Sequence, residues 1–184
     1  MAGISIKVEL QDLAARDTLR DLLTRMENPQ PFYASVGERL LSSTRDRFET
    51  QTDPQGAPWV SLAPRTIKQR QKRGQLPLTI LRSNSKGMAG SSLAGSINYI
   101  ASAEEVRIGS PKVYAAIHQL GGTIQKPESS RYMVGRRFAK RSEEGGREVK
   151  IKAHTITIPA RPYIGISPED EIGILEDAED WLSQ

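Results

Sequence analysis

The chain has no cysteine, so neither a disulfide framework nor a thiolate site is available to it. Aromatic residues make up only 5% of the 184 positions, and apolar residues 37%. That share is below the ordinary one, so the core is modest. Either much of the chain is loop and arm, or surface is buried against partners that a monomer lacks. No run approaches the roughly 18 apolar residues of a membrane span. The opening residues, MAGISIKVEL, lack the basic-then-apolar pattern of a secretory signal. Action or assembly in a cytoplasm, away from any membrane, is the expectation. The length suits one domain over 1–184, with an excursion at about 123–152.

Acidic residues are absent from Pro54 to Ala103, a stretch that carries Arg65, Lys68, Arg70, Lys72, Arg73, Arg82 and Lys86. A second basic block, Arg131–Lys152, holds Arg131, Arg136, Arg137, Lys140, Arg141, Arg147, Lys150 and Lys152 against Glu143, Glu144 and Glu148. The last sixteen residues reverse the sign, with Glu169, Asp170, Glu171, Glu176, Asp177, Glu179 and Asp180 and no base. Blocks of opposite sign either bind nucleic acid, meet each other across subunits, or form solvated faces.

Period-two alternation predicts a strand over Ile4–Leu10. Asp12 is placed to cap a helix on which Leu19, Leu22, Leu23 and Met26 recur, stopped at Asn28-Pro29. A second helix runs to about Glu49 on the stripe Phe32, Val36, Leu40 and Phe48. Gln51–Pro64 is a proline-rich loop, and its Trp59 either pins the loop to the core or stacks on a ligand. Arg65–Lys72 suits a short basic helix, and Gly74–Lys86 a polar, turn-rich stretch. Gly87–Ala94 suits a mobile small-residue loop. Ser96–Ala101 and Val106–Gly109 read as a hairpin. The ten residues VYAAIHQLGG, Val113–Gly122, give a short helix ended by Gly121 or Gly122. In it Tyr114 and Ile117 are expected to pack on the sheet. Thr123–Lys152 reads as a β-arm or flexible excursion, with strands at Tyr132–Val134 and Val149–Lys152. His154–Ile158 is a final strand. Ser167 then caps a C-terminal helix whose expected buried stripe is Ile172, Leu175, Ala178 and Leu182, with Trp181 alongside. Its late acids sit badly with its own dipole, which a basic partner surface, or solubility alone, would explain. The resulting expectation is α+β: an antiparallel sheet packed against an N-terminal helix pair and a C-terminal helix, with a protruding basic loop or β-arm.

Chemistry is sparse. His118 and His154 are the only histidines and lack zinc-site spacing. As a general base His118 would need a nucleophile and an orienting acid, and nothing marks either; a structural histidine is the better reading. Gly87–Gly95 lacks the Gly-Lys-Ser/Thr ending of a phosphate loop. No cofactor, metal or catalytic set is expected. The basic blocks permit non-specific phosphate contact without sign of sequence reading.

Three stretches in this order resemble the phage virion morphogenesis family, the tail completion proteins of Mu-like and related tailed phages. They are Phe48 with Asp53, Pro54, Gly56 and Trp59, then Tyr114, Ala115, His118, Gln119, Gly121 and Gly122, then Pro159, Ala160, Arg161, Pro162, Tyr163 and Gly165. Leu62, Thr66, Leu81, Ile97, Val106 and Gly109 fit between them. The loop Arg82–Ala94 departs from the family's Thr-Gly-x-Leu turn. The resemblance implies a non-enzymatic virion protein of the tail or neck, assembled in the host cytoplasm. It would complete the tail or join head and tail as a ring, most simply a hexamer, beside other tail, neck or connector proteins. The basic arm would face packaged DNA or a neighbour. The acidic C-terminal helix would meet a neighbour's Arg65–Arg73 block. Arg161, held between Ala160 and Pro162, is expected to pair with a carboxylate such as Asp53, or across an interface.

Overall fold

The computed structural model describes residues 12–82, 92–141 and 144–183. The expected strand Ile4–Leu10 and most of the expected mobile loop Gly87–Ala94 lie outside the described residues. The elements are α1 (Leu13–Glu27), α2 (Gln30–Thr50), α3 (Pro64–Lys72), β1 (Asn98–Ala101), β2 (Val106–Gly109) and α4 (Ala115–Leu120). They continue as β3 (Gly122–Lys126), β4 (Ser129–Val134), β5 (Arg137–Phe138), β6 (Arg147–Ile151), β7 (His154–Ile158) and α5 (Pro168–Ser183). The class is α+β, with helices at both ends of the described chain. Among the described residues, antiparallel pairing is distributed over three small sheets, β1-β2, β3-β7 and β5-β4-β6, rather than one. The elements fall into two compact units, with α2 contributing to one through Ser43 and to the other from Thr44.

In the unit holding α1, the start of α2, β1-β2 and α5, the termini are built as the sequence prescribes. Asp12 caps α1 by accepting from the Ala15 amide at 3.1 Å. Ser167 and Asp170 cap α5 reciprocally. The Ser167 amide donates to Oδ2 of Asp170 at 2.9 Å, and the Asp170 amide donates to Oγ of Ser167 at 3.1 Å. Val36, Leu40 and Leu41 of α2 are buried. Tyr99 of β1 lies against Gly37, where a Cβ would collide with its ring, and its hydroxyl donates to Glu38 at 2.9 Å.

The orientation of α5 corrects the sequence reading. Ile172, Leu175 and Leu182, expected inside, are 60%, 65% and 45% exposed, whereas Asp170 and Gly173 are buried. The reason is a polar inner face with matched partners. Asp170 accepts from Ser43 Oγ at 2.9 Å. Arg39 grips Asp177 through both ends of its guanidinium, at 2.8 and 2.6 Å, and passes over Gly173, where any side chain would strike it. Trp181 stacks at a tilt on Phe32, 5.5 Å between ring centres. Arg25 donates to the Trp181 carbonyl at 3.0 Å, placing a cation at the negative end of the helix. A charged fork in a fitted site outweighs an aliphatic stripe that has no cavity to fill. In α1, likewise, Leu19, Leu23 and Met26 stay exposed.

The second unit holds the last two turns of α2, α3, α4 and β3–β7. β3 pairs with β7 from Gly122↔Ile158 to Lys126↔His154. Thr123–Lys126, at the start of the stretch read as a β-arm or flexible excursion, is therefore strand. Its single apolar residue, Ile124, gives no alternation to detect. The remaining basic segment is a three-stranded antiparallel sheet with β4 in the centre. β4 pairs with β5 at Met133↔Phe138 and Val134↔Arg137, and with β6 from Ser129↔Ile151 to Met133↔Arg147. Gly135, at φ +61, makes the turn into β5.

Candidate functional site

The three stretches that carry the family resemblance converge in the second unit. Phe48, at the end of α2, is the hub: Trp59 meets it edge-on at 5.6 Å and Tyr163 at a tilt at 5.1 Å. All three rings are buried, and such pairs add about 0.5–1.5 kcal/mol each beyond the area they bury. Trp59 donates through Nε1 to the Pro162 carbonyl at 2.8 Å, so the tryptophan pins its loop. Asp53 shapes that loop locally. Its Oδ1 accepts from the amides of Gln55 at 2.9 Å and Ala57 at 2.8 Å, around Gly56 at φ +81. Pro54 is buried beneath Gly165, where a Cβ would lie 2.5 Å from the proline ring.

Gly121 (φ +71) ends α4 against the backbone of Ala160, which leaves 2.7 Å between the Ala160 nitrogen and any Cβ there. The Arg161 amide donates to the His118 carbonyl at 2.8 Å, and the Tyr163 hydroxyl to the Ala115 carbonyl at 3.0 Å. Burial raises the pKa of that phenol. Pro159 opens this segment at the end of β7. Gly122, at φ +155, starts β3 beside Ile117.

Arg161 does not pair with Asp53. It is buried, and donates through Nε to the Val60 carbonyl at 2.8 Å and through Nη2 to the Ser61 carbonyl at 3.2 Å. The proline-rich loop after Trp59 turns these carbonyls toward it, while Asp53 is engaged in its own turn. Burial, and then the charge of Arg70, lower its pKa.

Two residues outside the expected contacts complete the clasp. Gln119 accepts from the amides of Tyr163 at 2.9 Å and Ile164 at 3.1 Å, and donates to the Ile164 carbonyl at 2.7 Å. Arg47, buried, donates to the carbonyls of Tyr163 at 3.3 Å and Gly165 at 2.8 Å. Gln119 belongs to the family pattern, which was its one signal. Arg47 had none, being one arginine among several basic positions on a long helix.

Beside this clasp opens a cleft of about 830 Å³, lined among others by Val60, Leu62, Arg70, Tyr114, His118, Ile156 and Arg161. Tyr114 stands on it 44% exposed, edge-on to His118 at 5.9 Å, rather than packed into a core. The imidazole Nδ1 is buried without a partner. Burial, then the charge of Arg161, lower the pKa of His118, which disfavours its charged form. Among the described lining residues there is no carboxylate to orient it as a base.

The basic positions separate into two kinds. Arg65, Lys68, Lys72 and Arg73 of the α3 region are exposed, as are Arg136, Arg137, Lys140 and Arg141 of the β5-β4-β6 sheet and the chain that follows β5. Arg141 pairs with Glu148 at 2.9 Å. Arg70 turns inward instead, donating to the Thr79 carbonyl at 2.5 Å. No described helix is long and apolar enough to cross a membrane.

Comparison with known proteins gives the family. A model of the phage virion morphogenesis family matches residues 10–183. The chain is 33% identical over 138 residues to the G protein of Escherichia phage Mu, named for a proposed part in capsid assembly, covering 74% of this chain and 69% of that protein. It is 33% identical over 78 residues to G protein 2 of the Mu-like prophage FluMu of Haemophilus influenzae, covering 42% of this chain and 38% of the relative. No solved structure matches.

Proposed function

The chain belongs to the phage virion morphogenesis family, and from that premise we propose that it is a structural protein of the tail or neck. It completes the tail or joins head to tail as a ring, most simply a sixfold one, against other tail or connector proteins. The observation that carries a scaffold role is how the motif side chains are engaged. Trp59, Gln119 and Tyr163 direct hydrogen bonds at backbone groups of other motif stretches, and Arg161 at the Val60 carbonyl just after one. Such residues fix the shape of a subunit; a reaction would need them turned toward a substrate. The name of the Mu relative refers to the capsid, and a neck position, where capsid and tail meet, suits both descriptions.

Quantitative mass spectrometry of purified infectious particles tests this reading. It expects the chain in a low, fixed copy number, as for a single ring; its absence from finished particles rejects it.

The exposed cations on and around the β5-β4-β6 sheet favour a second reading, in which the chain binds duplex DNA non-specifically through Arg136, Arg137 and Lys140. Micromolar or tighter binding at physiological salt with a steep salt dependence supports it; no measurable binding removes it.

A further inference from the structure

A ring of identical subunits needs two surfaces that meet. Resting on the ring reading, we infer that the outward face of α5 docks onto the exposed basic face of α3, and the apolar wall beside it, in a second copy of this chain.

The first observation is the inversion of α5. Ile172, Leu175 and Leu182 fall at helical spacing on one side and are half or nearly half exposed at the least. The opposite side is fully engaged through Asp170, Gly173 and Asp177. An aliphatic row held outward by a fitted polar face is a surface built for a partner. The second observation is its rim. Asp170 and Asp177 are paired inside, but Glu176 and Glu179 are exposed among the aliphatics, with no base in the last sixteen residues. Two such faces would repel each other, so α5 does not meet its own copy symmetrically.

The complement is present in the same chain. No acid occurs from Pro54 to Ala103, and α3 presents Arg65 and Lys68 to solvent with no buried residue of its own. Val60, 58% exposed, and Leu62 form the apolar wall of the adjoining cleft. A negative-rimmed aliphatic row therefore meets a positive-rimmed aliphatic wall. Two different patches on each copy make a head-to-tail contact, the type that closes into rings.

Sedimentation velocity of the full chain over a range of concentrations tests the pairing with two double variants. One carries Glu176→Lys and Glu179→Lys, the other Arg65→Glu and Lys68→Glu. Each alone is expected to weaken assembly at least tenfold in concentration, and mixing the two to restore it, because the reversed charges complement. The lysines lie toward the C-terminus of α5, where positive charge favours the helix, so lost assembly there is not lost helix. Leu175→Ala is expected to weaken assembly without any change of charge. Assembly at the wild-type level in both double variants overturns the pairing while leaving the ring reading standing. Loss with only one of them, or no recovery on mixing, also overturns it. A wild-type chain that stays monomeric throughout removes pairing and self-assembled ring together.

Discussion

The side chain of Gln119 grips Ile164 at both of its backbone polar groups, donating to the carbonyl at 2.7 Å and accepting from the amide at 3.1 Å. One amide thereby imitates a strand partner for the segment that follows Arg161. With Tyr163 also donating its amide to the same oxygen, α4 and Pro159–Gly165 are locked together.

Gln119→Leu keeps the volume and removes all three bonds. Partly buried backbone groups are left without partners, and the expected loss is about 2–3 kcal/mol of folding free energy, read as a lowered urea midpoint with unchanged slope. Gln119→Glu keeps the acceptor and loses the donor. At neutral pH it should fall between wild type and Gln119→Leu, and recover part of its loss at acid pH, where a protonated carboxyl donates again.

Gly121 and Gly56 both have positive φ, +71 and +81, but only Gly121 faces backbone within reach of a Cβ. Gly56→Ala is expected to cost about 1 kcal/mol, from conformation alone. Gly121→Ala adds a collision with Ala160, which cannot swing aside, and is expected to cost at least about 3 kcal/mol in total. Thermal unfolding of the two variants side by side checks the difference.

Arg39 holds the pKa of Asp177 below the ordinary aspartate value, first through the hydrogen-bonded pair and then through its charge. The unfolded chain takes up this proton at higher pH than the folded one. The contribution is therefore complete above the ordinary aspartate range and disappears as pH falls through the lowered folded value. Asp177→Asn should lower stability at neutral pH by about 1 kcal/mol and flatten that acid limb. Denaturation midpoints measured as a function of pH decide it.

His118 is displaced in the direction that resists protonation, by burial and then by Arg161. The unfolded imidazole accepts its proton first as pH falls. Stability is thus full above the ordinary histidine range and declines below it, until the folded ring titrates as well. His118→Phe should remove that decline between neutral and mildly acid pH. In the wild-type chain, NMR should find the His118 ring titrating below the ordinary histidine range.

Much of this was legible from local chemistry. Asp12 and Ser167 were readable as caps, the β1-β2 hairpin as alternation, and Phe32, Val36, Leu40 and Phe48 as a stripe, because each signal lies within a few residues. The facing of α5 was not. Its decisive partners, Ser43 and Arg39, are 127 and 138 residues away from Asp170 and Asp177. An aliphatic stripe also looks the same whether it meets a core or a neighbour. The carboxylate expected for Arg161 failed for a related reason: backbone carbonyls, which no sequence displays, satisfy the guanidinium instead. The clasp was visible only as a family pattern, since Gln119 carries no signal until Ile164 lies opposite it.

The central claim is that the chain completes the virion rather than catalysing a reaction. Its most direct test is negative-stain imaging of particles assembled by the encoding virus without this protein. The account predicts no infectious particles, with filled heads and tails present but unjoined or tails left unfinished. Complete, infectious particles in normal numbers would contradict it.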